Sequence, residues 1–328
     1  MRYRLLGRTG LRVSELFLGA MTFRSASPEV RRILDAYADA GGNVVDTASM
    51  YGDSESIVGE LLQGRRDRYV LASKYTGTRD RTDLNAAGNH RKNLVLTLEQ
   101  SLRRLRTDYI DLYWVHVWDR HTPVEETMRA LDDVVRSGKV LYVGISDAPA
   151  WLVSRANTVA EFRGWTPFAG LQVPYSLLRR DVERELLPMA EAFGMSAAAW
   201  GTLERGVLSG RYNDPGAPAS RVSPASLGER ELAAARAVVE VAGELGVTAS
   251  QVALAWVLRR GVHPIVGASS AEQLKDNLGA AGLALPEEAV RRLESAVEFE
   301  LGFPRDFVEA CDRSPELYGD AIHRLNGR

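Results

Sequence analysis

Short apolar runs alternate with longer amphipathic stretches along most of the chain. Several runs, such as 69–73 and 109–115, are almost continuously apolar. Parallel strands buried on both faces have this character, whereas a strand with one wet face alternates apolar and polar residues. We therefore predict strands at 16–19, 43–46, 69–73, 109–115, 140–145, 168–173, 195–200 and 263–267.

The segments between these strands repeat their apolar positions with the period of an α-helix. Ser27 followed by Pro28 is a typical helix start, and Gly138 is a typical residue just beyond a helix end. Helices are predicted near 28–40, 54–63, 92–105, 124–137, 149–162, 181–193 and 271–281.

Eight strands with interleaved helices predict a (β/α)8 barrel, the TIM barrel, as one domain over residues 1–328. Before the first barrel strand, residues 3–13 read as a β-hairpin with a glycine-rich turn. A doubly wound open sheet is the structural alternative.

Two regions interrupt the alternation. Between the seventh and eighth strands lie a loop rich in Pro, Gly and Ser (Asn213 to Gly228) and two helical patterns, 229–245 and 249–260. After about residue 286 come one helix and a mixed segment, 299–328. Long loops of this kind are often functional; a surface insertion and a packed tail are the alternative.

Composition narrows the class of protein. The chain has 328 residues, 45% of them hydrophobic, and a formal net charge of -2, so we expect binding neither to nucleic acid nor to a membrane. The single cysteine, Cys311, excludes an internal disulfide and fits a reducing compartment, so a cytoplasmic location is expected. No feature identifies a partner surface, and the oligomeric state stays open.

Four polar residues stand just past apolar runs: Asp46, Tyr51, Lys74 and His116. In a barrel of alternating strands and helices, active sites are built where the carboxyl ends of the strands meet. Each residue alone could be a loop cap, a turn, a solvated strand end or a satisfied histidine. Together, at three successive strand ends, they indicate a catalytic site.

These four side chains can deliver a proton to a carbonyl oxygen. A tyrosine with its ordinary pKa near 10 transfers protons poorly at neutral pH, and a neighbouring ammonium such as that of Lys74 lowers that pKa. Asp46 can pair with Lys74, and His116 can orient the substrate oxygen by a hydrogen bond. Tyr51 is then the general acid.

The same residues carry a resemblance to the aldo-keto reductase family. Segment 42–52, GNVVDTASMYG, resembles the family motif with the catalytic Asp and Tyr. Segments 72–74, ASK, and 108–119, DYIDLYWVHVWD, resemble those with the catalytic Lys and His. The similarity runs from about Tyr3 to Leu278 and is closest to the branch of bacterial reductases and potassium-channel β subunits. It implies a (β/α)8 barrel, NADPH as cofactor and a small-molecule carbonyl substrate that is interconverted with its alcohol.

No G-x-G-x-x-G follows the first strand and no P-loop motif occurs, so those nucleotide sites are unsupported. The resemblance instead implies a cofactor extended across the barrel mouth, with Gln172 at the carboxamide, Trp200 stacked on nicotinamide and Arg221 at the 2′-phosphate. The residues implied as cofactor-binding are Ala20, Met21, Asp46, Ser146, Asp147, Gln172, Trp200, Gly201, Leu203, Gly206, Ser209, Arg211, Arg221, Gly267, Ser269, Gln273 and Asn277.

The chain departs from the family pattern at two places. Asp147 stands where members often carry Asn or Arg, and an ionised Asp accepts hydrogen bonds but cannot donate them. Glu204 and Arg205 stand where small residues are usual, and Arg205 could contact pyrophosphate or pair with Glu204.

Apolar and aromatic residues near the same face predict the substrate end. These are Met21, Phe23, Met50, Tyr51, His116 and Trp118, together with the tail. Rival functions are a redox-sensing module that holds NADPH with slow turnover and a sugar-nucleotide ketoreductase. No metal site is expected, because His116 and His121 lie five apart and Cys311 has no partner cysteine.

Overall fold

The computed structural model describes residues 1–213, 223, 226–312 and 314–324. Its strands are β1 Tyr3–Leu5, β2 Arg12–Ser14, β3 Phe17–Gly19, β4 Val44–Asp46, β5 Val70–Tyr75, β6 Ile110–Val115, β7 Val140–Ser146, β8 Gly170–Pro174, β9 Ser196–Trp200 and β10 His263–Val266. Its helices are α1 Pro28–Asp39, α2 Ser54–Leu61, α3 Arg91–Leu105, α4 Val124–Arg136, α5 Ala150–Arg163, α6 Leu186–Ala192, α7 Glu229–Leu245, α8 Ala249–Arg259, α9 Ala271–Leu278, α10 Glu287–Ser295, α11 Arg305–Asp312 and α12 Pro315–Tyr318.

Strands β3 to β10 pair in parallel, in chain order, and β10 pairs with β3 to close the barrel. The closure confirms the predicted (β/α)8 barrel and excludes the open doubly wound sheet. All eight predicted barrel strands are present. Most of their residues are buried, which is why their apolar runs are visible in the sequence.

The predicted hairpin is also present. Strands β1 and β2 pair antiparallel, with Tyr3 opposite Ser14. Its residues Leu6 and Val13 are buried in one cluster with Phe17, Val44 and Val70, which begin three barrel strands. The hairpin therefore closes the end of the barrel at which the strands start, and the opposite end is left for a site.

Higher in the barrel, the indole of Trp114 fills the interior. A Cβ on Gly144 would lie 2.3 Å from Trp114 Cε3, and a Cβ on Gly170 would lie 2.8 Å from Trp114 Cη2. Glycines on the neighbouring strands β7 and β8 thus make the space that this side chain occupies. The interior is a packed core, as is usual for this fold.

Two predicted helix boundaries are confirmed. Ser27 caps the start of α1, where its Oγ accepts a hydrogen bond from the Val30 N–H. Gly138 lies just beyond the end of α4 and has a left-handed φ of 77°. The prediction of one helix over 181–193 is wrong. A 3₁₀ turn covers Asp181–Glu183 and α6 begins only at Leu186. Pro188 has no N–H to donate and is tolerated only in the first turn of a helix, which sets this start.

Among the described residues, no single helix is both long and apolar enough to cross a membrane, and the pair α7–α8 reaches that length and composition only across a 98° bend.

Candidate active site

The four residues meet at the carboxyl end of the barrel. Asp46 is the last residue of β4, Lys74 is the last but one of β5, and His116 directly follows β6. Tyr51 lies in the loop between β4 and α2. Adjacent parallel strands end at the same height, so the register brings residues distant in the chain into one site.

Lys74 is fully buried and forms an ion pair with Asp46. Its Nζ also donates to the carbonyl oxygen of Thr47 at 2.9 Å. The second carboxylate oxygen of Asp46 accepts from Nε2 of Gln172 at 3.1 Å. A buried ammonium requires such a partner, because desolvation of an unpaired charge is very unfavourable. The pair therefore holds one positive charge at a defined place inside the barrel mouth.

Tyr51 lies between that charge and the histidine. Its hydroxyl oxygen is 3.5 Å from Nε2 of His116, and the two rings meet edge to face with centroids 5.6 Å apart. Lys74 Nζ lies 4.9 Å from the centroid of the Tyr51 ring. A phenol, an imidazole and an ammonium thus converge on one point.

The net shift in the pKa of Tyr51 differs from our expectation. Burial raises this pKa above its ordinary value; the charge of Lys74 lowers it, but by less, and Asp46 raises it again. Burial, followed by the charge of Lys74, lowers the pKa of His116 to about 3. At neutral pH, Tyr51 therefore holds its proton and His116 is neutral, with one ring nitrogen available as a donor.

Trp200 ends β9, and its side chain is 37% exposed. Its indole Nε1 donates to Oδ1 of Asp147 at 3.2 Å, which fixes the plane of the ring. Asp147 follows β7 with a left-handed φ of 46°, and burial raises the pKa of its carboxyl. The departure from the family pattern at Asp147 thus has a structural consequence, because its carboxylate orients Trp200.

Further predicted cofactor residues lie at neighbouring strand ends. Ser146 and Gln172 are both buried and pair in register on β7 and β8. The Ala20 N–H donates to the carbonyl of Asp46 at 2.8 Å, and the next residue, Met21, is exposed. One N–H of the Gln172 amide donates to Asp46, which leaves its Oε1 as an acceptor for a carboxamide N–H and its second N–H as a donor.

The loop after β9 turns sharply through left-handed residues, with φ of 73° at Gly201, 45° at Glu204, 56° at Arg205 and 98° at Gly206. The Glu204 carboxylate accepts from Ser176 Oγ at 2.8 Å and lies 3.2 Å from Nε of Arg179. Arg179 is thus the ion-pair partner that the structure gives Glu204, and Arg205 is exposed.

The other predicted residues of this loop lie close together. Leu203 is half-buried, Ser209 Oγ donates to the Gly206 carbonyl at 2.7 Å, and the Arg211 guanidinium lies 5.8 Å from the Tyr212 ring centroid. Arg221 lies outside the described residues.

The loop after β10 leads into α9. Gln273 Oε1 accepts from the N–H and the Oγ of Ser269, at 2.7 and 2.9 Å. Gly267 precedes them, and a Cβ there would lie 3.9 Å from the Gly19 carbonyl oxygen. Asn277 is buried, and its Nδ2 has no hydrogen-bond partner among the described residues. An exposed indole at one strand end and an unsatisfied amide beyond the last strand fit an extended nicotinamide dinucleotide.

Residues predicted for the substrate end separate into two groups. Met21 and Met50 are exposed, and Trp118 is half-buried. Phe23 is only 2% exposed and packs in the main hydrophobic core. Trp118 meets the exposed Trp151 edge to face, with ring centroids 5.6 Å apart. Sequence reasoning missed Trp151, whose one local signal is an aromatic residue in the first turn of α5.

No group of three or more His, Cys, Asp or Glu side chains within the described part of the chain is placed to hold a metal ion.

Comparison with known proteins gives a consistent result. Residues 15–298 match the family described as the aldo/keto reductase family. A norsolorinic acid reductase of Aspergillus flavus is 40% identical over 325 residues, which cover 93% of this chain and 83% of the relative. An aryl-alcohol dehydrogenase of Pestalotiopsis microspora is 38% identical over 327 residues, covering 94% and 85%. An aldo-keto reductase of Aspergillus calidoustus is 38% identical over 335 residues, again covering 94% and 85%.

Proposed function

The chain belongs to the aldo/keto reductase family, and on that basis we propose that it is an NADPH-dependent enzyme that reduces aldehydes and ketones to alcohols, with Tyr51 as the general acid. One observation carries the proposal. The Tyr51 hydroxyl lies 3.5 Å from His116 Nε2, beside a buried ammonium that is held by Asp46.

The chemistry follows from these positions. A carbonyl oxygen seated between Tyr51 and His116 accepts a hydrogen bond from each, provided that His116 carries its proton on Nε2. As the carbonyl π bond breaks, Tyr51 Oη transfers its proton to the oxygen. The phenolate that remains is stabilised by the ammonium of Lys74, 4.9 Å from the ring centroid, and takes its next proton from solvent. Asp46 keeps that ammonium in place.

NADPH, when bound, supplies the hydride that forms the new C–H bond. Trp200 would stack on its ring, while the Asp147 carboxylate keeps the indole in plane. Gln172 Oε1 would accept from the carboxamide, and Asn277 Nδ2 would donate to the adenosine end. At the start of α9, the Ala271 N–H already donates to Glu29 Oε1 at 2.7 Å and the Gln273 N–H to Ser270 Oγ at 3.1 Å, so a phosphate bound there would have to displace these acceptors.

Preference for NADPH over NADH is assigned to Arg221, since a guanidinium binds the 2′-phosphate in a bidentate manner. Affinities of the wild type and Arg221→Ala for both cofactors, measured by tryptophan fluorescence, test this role. Arg221→Ala should weaken NADPH binding and leave NADH binding unchanged. Equal affinity of the wild type for both cofactors, unchanged in the variant, would remove Arg221 from the proposal.

The substrate class that we propose is aromatic carbonyl compounds. Relatives of this chain bear the names norsolorinic acid reductase and aryl-alcohol dehydrogenase. The exposed Met21 and Met50 and the pair Trp118–Trp151 offer apolar and aromatic surface of the kind that binds a planar ring.

A panel of aromatic, aliphatic and sugar-nucleotide carbonyls, assayed with NADPH and with NADH, tests the function. We expect the fastest oxidation of NADPH with an aromatic aldehyde. Tight NADPH binding with slow turnover of every carbonyl would instead indicate a redox sensor. A strong preference for sugar nucleotides would indicate a biosynthetic ketoreductase.

A further inference from the structure

Glu55, near the start of α2, is a buried carboxylate that the proposed chemistry does not use. Its side chain is 0% exposed. Such a group is costly to bury unless hydrogen bonds or an opposite charge compensate for the lost water. Two partners do so in part. Ser73 Oγ donates to Oε1 at 2.6 Å, and Arg104 NH1 forms an ion pair with Oε2 at 3.5 Å. Among the described residues Oε2 has no hydrogen-bond partner, and burial raises the pKa of this carboxyl.

The first partner is the neighbour of a proposed catalytic residue. Ser73 directly precedes Lys74 on β5. Successive side chains of a strand point to opposite faces, so Ser73 faces the helices outside the barrel while Lys74 faces the interior. The hydrogen bond between Ser73 and Glu55 therefore anchors the end of β5 from outside the barrel. The same strand end carries the Lys74 ammonium on the inside.

The second partner reaches the loop that carries Tyr51. Besides approaching Glu55, Arg104 NH1 donates to the carbonyl oxygen of Ser49 at 3.3 Å. The Ser49 N–H in turn donates to the carbonyl oxygen of Lys74 at 3.0 Å. Contacts thus run from the Tyr51 loop through Arg104 and Glu55 to Ser73 on β5. The hydrogen bond from Ser49 to Lys74 joins the loop directly to β5, so that these contacts form a closed circuit.

We propose that Glu55, Ser73 and Arg104 act as a positioning relay that holds Tyr51 and Lys74 at their working separation. The inference rests on the proposed function. None of the three touches the reacting atoms. Their effect on catalysis comes through the distance between phenol and ammonium, and a misplacement of about 1 Å in an active site can slow a reaction by about a hundredfold.

Kinetics of Glu55→Gln and Arg104→Met test the relay, with Arg103→Ala as the matched control. Arg103 is an exposed arginine one residue earlier on α3. Each relay variant should lower kcat for an aromatic aldehyde about tenfold or more, with KM and the NADPH dissociation constant changed by less than about twofold. The double variant should be no slower than the worse single variant, because both break the same circuit. Arg104→Lys, which keeps a cation, should recover part of the rate.

Hydrogen exchange of segment 47–54 is a readout independent of turnover. The Thr47, Ser49 and Tyr51 N–H groups all donate to backbone carbonyls, so a loosened loop will exchange faster in both relay variants and not in Arg103→Ala. If the wild type reduces no carbonyl, the proposed function fails, and exchange still decides the relay. If the folded relay variants have the same turnover and the same exchange rates as Arg103→Ala, the relay proposal is wrong. It is also wrong if their loss of rate is fully explained by a smaller folded fraction.

Discussion

The hydroxyl oxygen of Tyr51 lies 3.5 Å from Nε2 of His116, although the two residues are 65 positions apart in the chain. The contact joins the loop after β4 to the end of β6, across β5 and its Lys74. Burial, followed by the charge of Lys74, lowers the pKa of His116, so the imidazole is neutral at neutral pH and the phenol is the group that we propose as the proton donor.

Tyr51→Phe removes the proton donor and keeps the ring. We expect kcat for carbonyl reduction to fall about 100-fold or more, while the NADPH dissociation constant changes by less than about twofold. Tyr142→Phe, at a half-buried tyrosine on β7, should retain the wild-type rate. Steady-state kinetics and a binding titration provide both numbers, and unimpaired turnover in Tyr51→Phe would remove Tyr51 from its proposed role.

Asp46→Asn leaves the ammonium of Lys74 buried without its countercharge. We expect the free energy of unfolding to fall by about 3–5 kcal/mol. The control is Glu288→Gln, because Glu288 and its partner Arg291 are 77% and 73% exposed, and an exposed ion pair contributes much less to stability than a buried one. Urea unfolding monitored by circular dichroism compares the two. If the two variants lose a similar free energy of unfolding, the burial of Lys74 does not make its ion pair with Asp46 more important than an exposed one.

The buried His263 should make the protein less stable in acid. Its ring is buried against Phe17, and burial, followed by the charge of Arg4, lowers its pKa from 6.5 to about 4. Between these values the unfolded chain binds more protons than the folded one, so stability falls as pH falls from 6.5 towards 4. The difference corresponds to roughly 3 kcal/mol.

His263→Gln should flatten this dependence, whereas His121→Gln, at an exposed histidine, should leave it unchanged. Urea unfolding at a series of pH values measures it. An equally steep profile in His263→Gln would assign the acid sensitivity to other groups, of which His116 is one because its pKa is also lowered.

Trp200→Ala removes the ring that would stack on nicotinamide. A loss of about 1 kcal/mol, which is about fivefold in the NADPH dissociation constant, is expected from aromatic stacking. Phe162→Ala removes a side chain that is 90% exposed on α5 and should bind NADPH like the wild type. Isothermal titration calorimetry measures the NADPH dissociation constant of both variants. An unchanged affinity in Trp200→Ala would mean that the nicotinamide binds elsewhere.

The strands were predictable because a strand buried on both faces needs a local run of apolar residues, and that run is visible without the fold. The division of residues 181–193 was also encoded locally, in Pro188, but the helical period concealed it. Contacts between distant side chains were a different matter. The Glu204–Arg179 pair and the Trp118–Trp151 pair join residues with no shared motif or spacing.

The sequence by itself determined the number and order of the strands and the polar residues that end them, because burial and strand period are written in local hydrophobicity. Only the tertiary structure decided which of those residues touch, how deeply each is buried and the direction in which each pKa moves. Those properties depend on desolvation and on distances of a few ångströms between separate strands. The pKa of Tyr51 is the clearest case: Lys74 lowers it as its place in the motif predicts, but burial raises it by more.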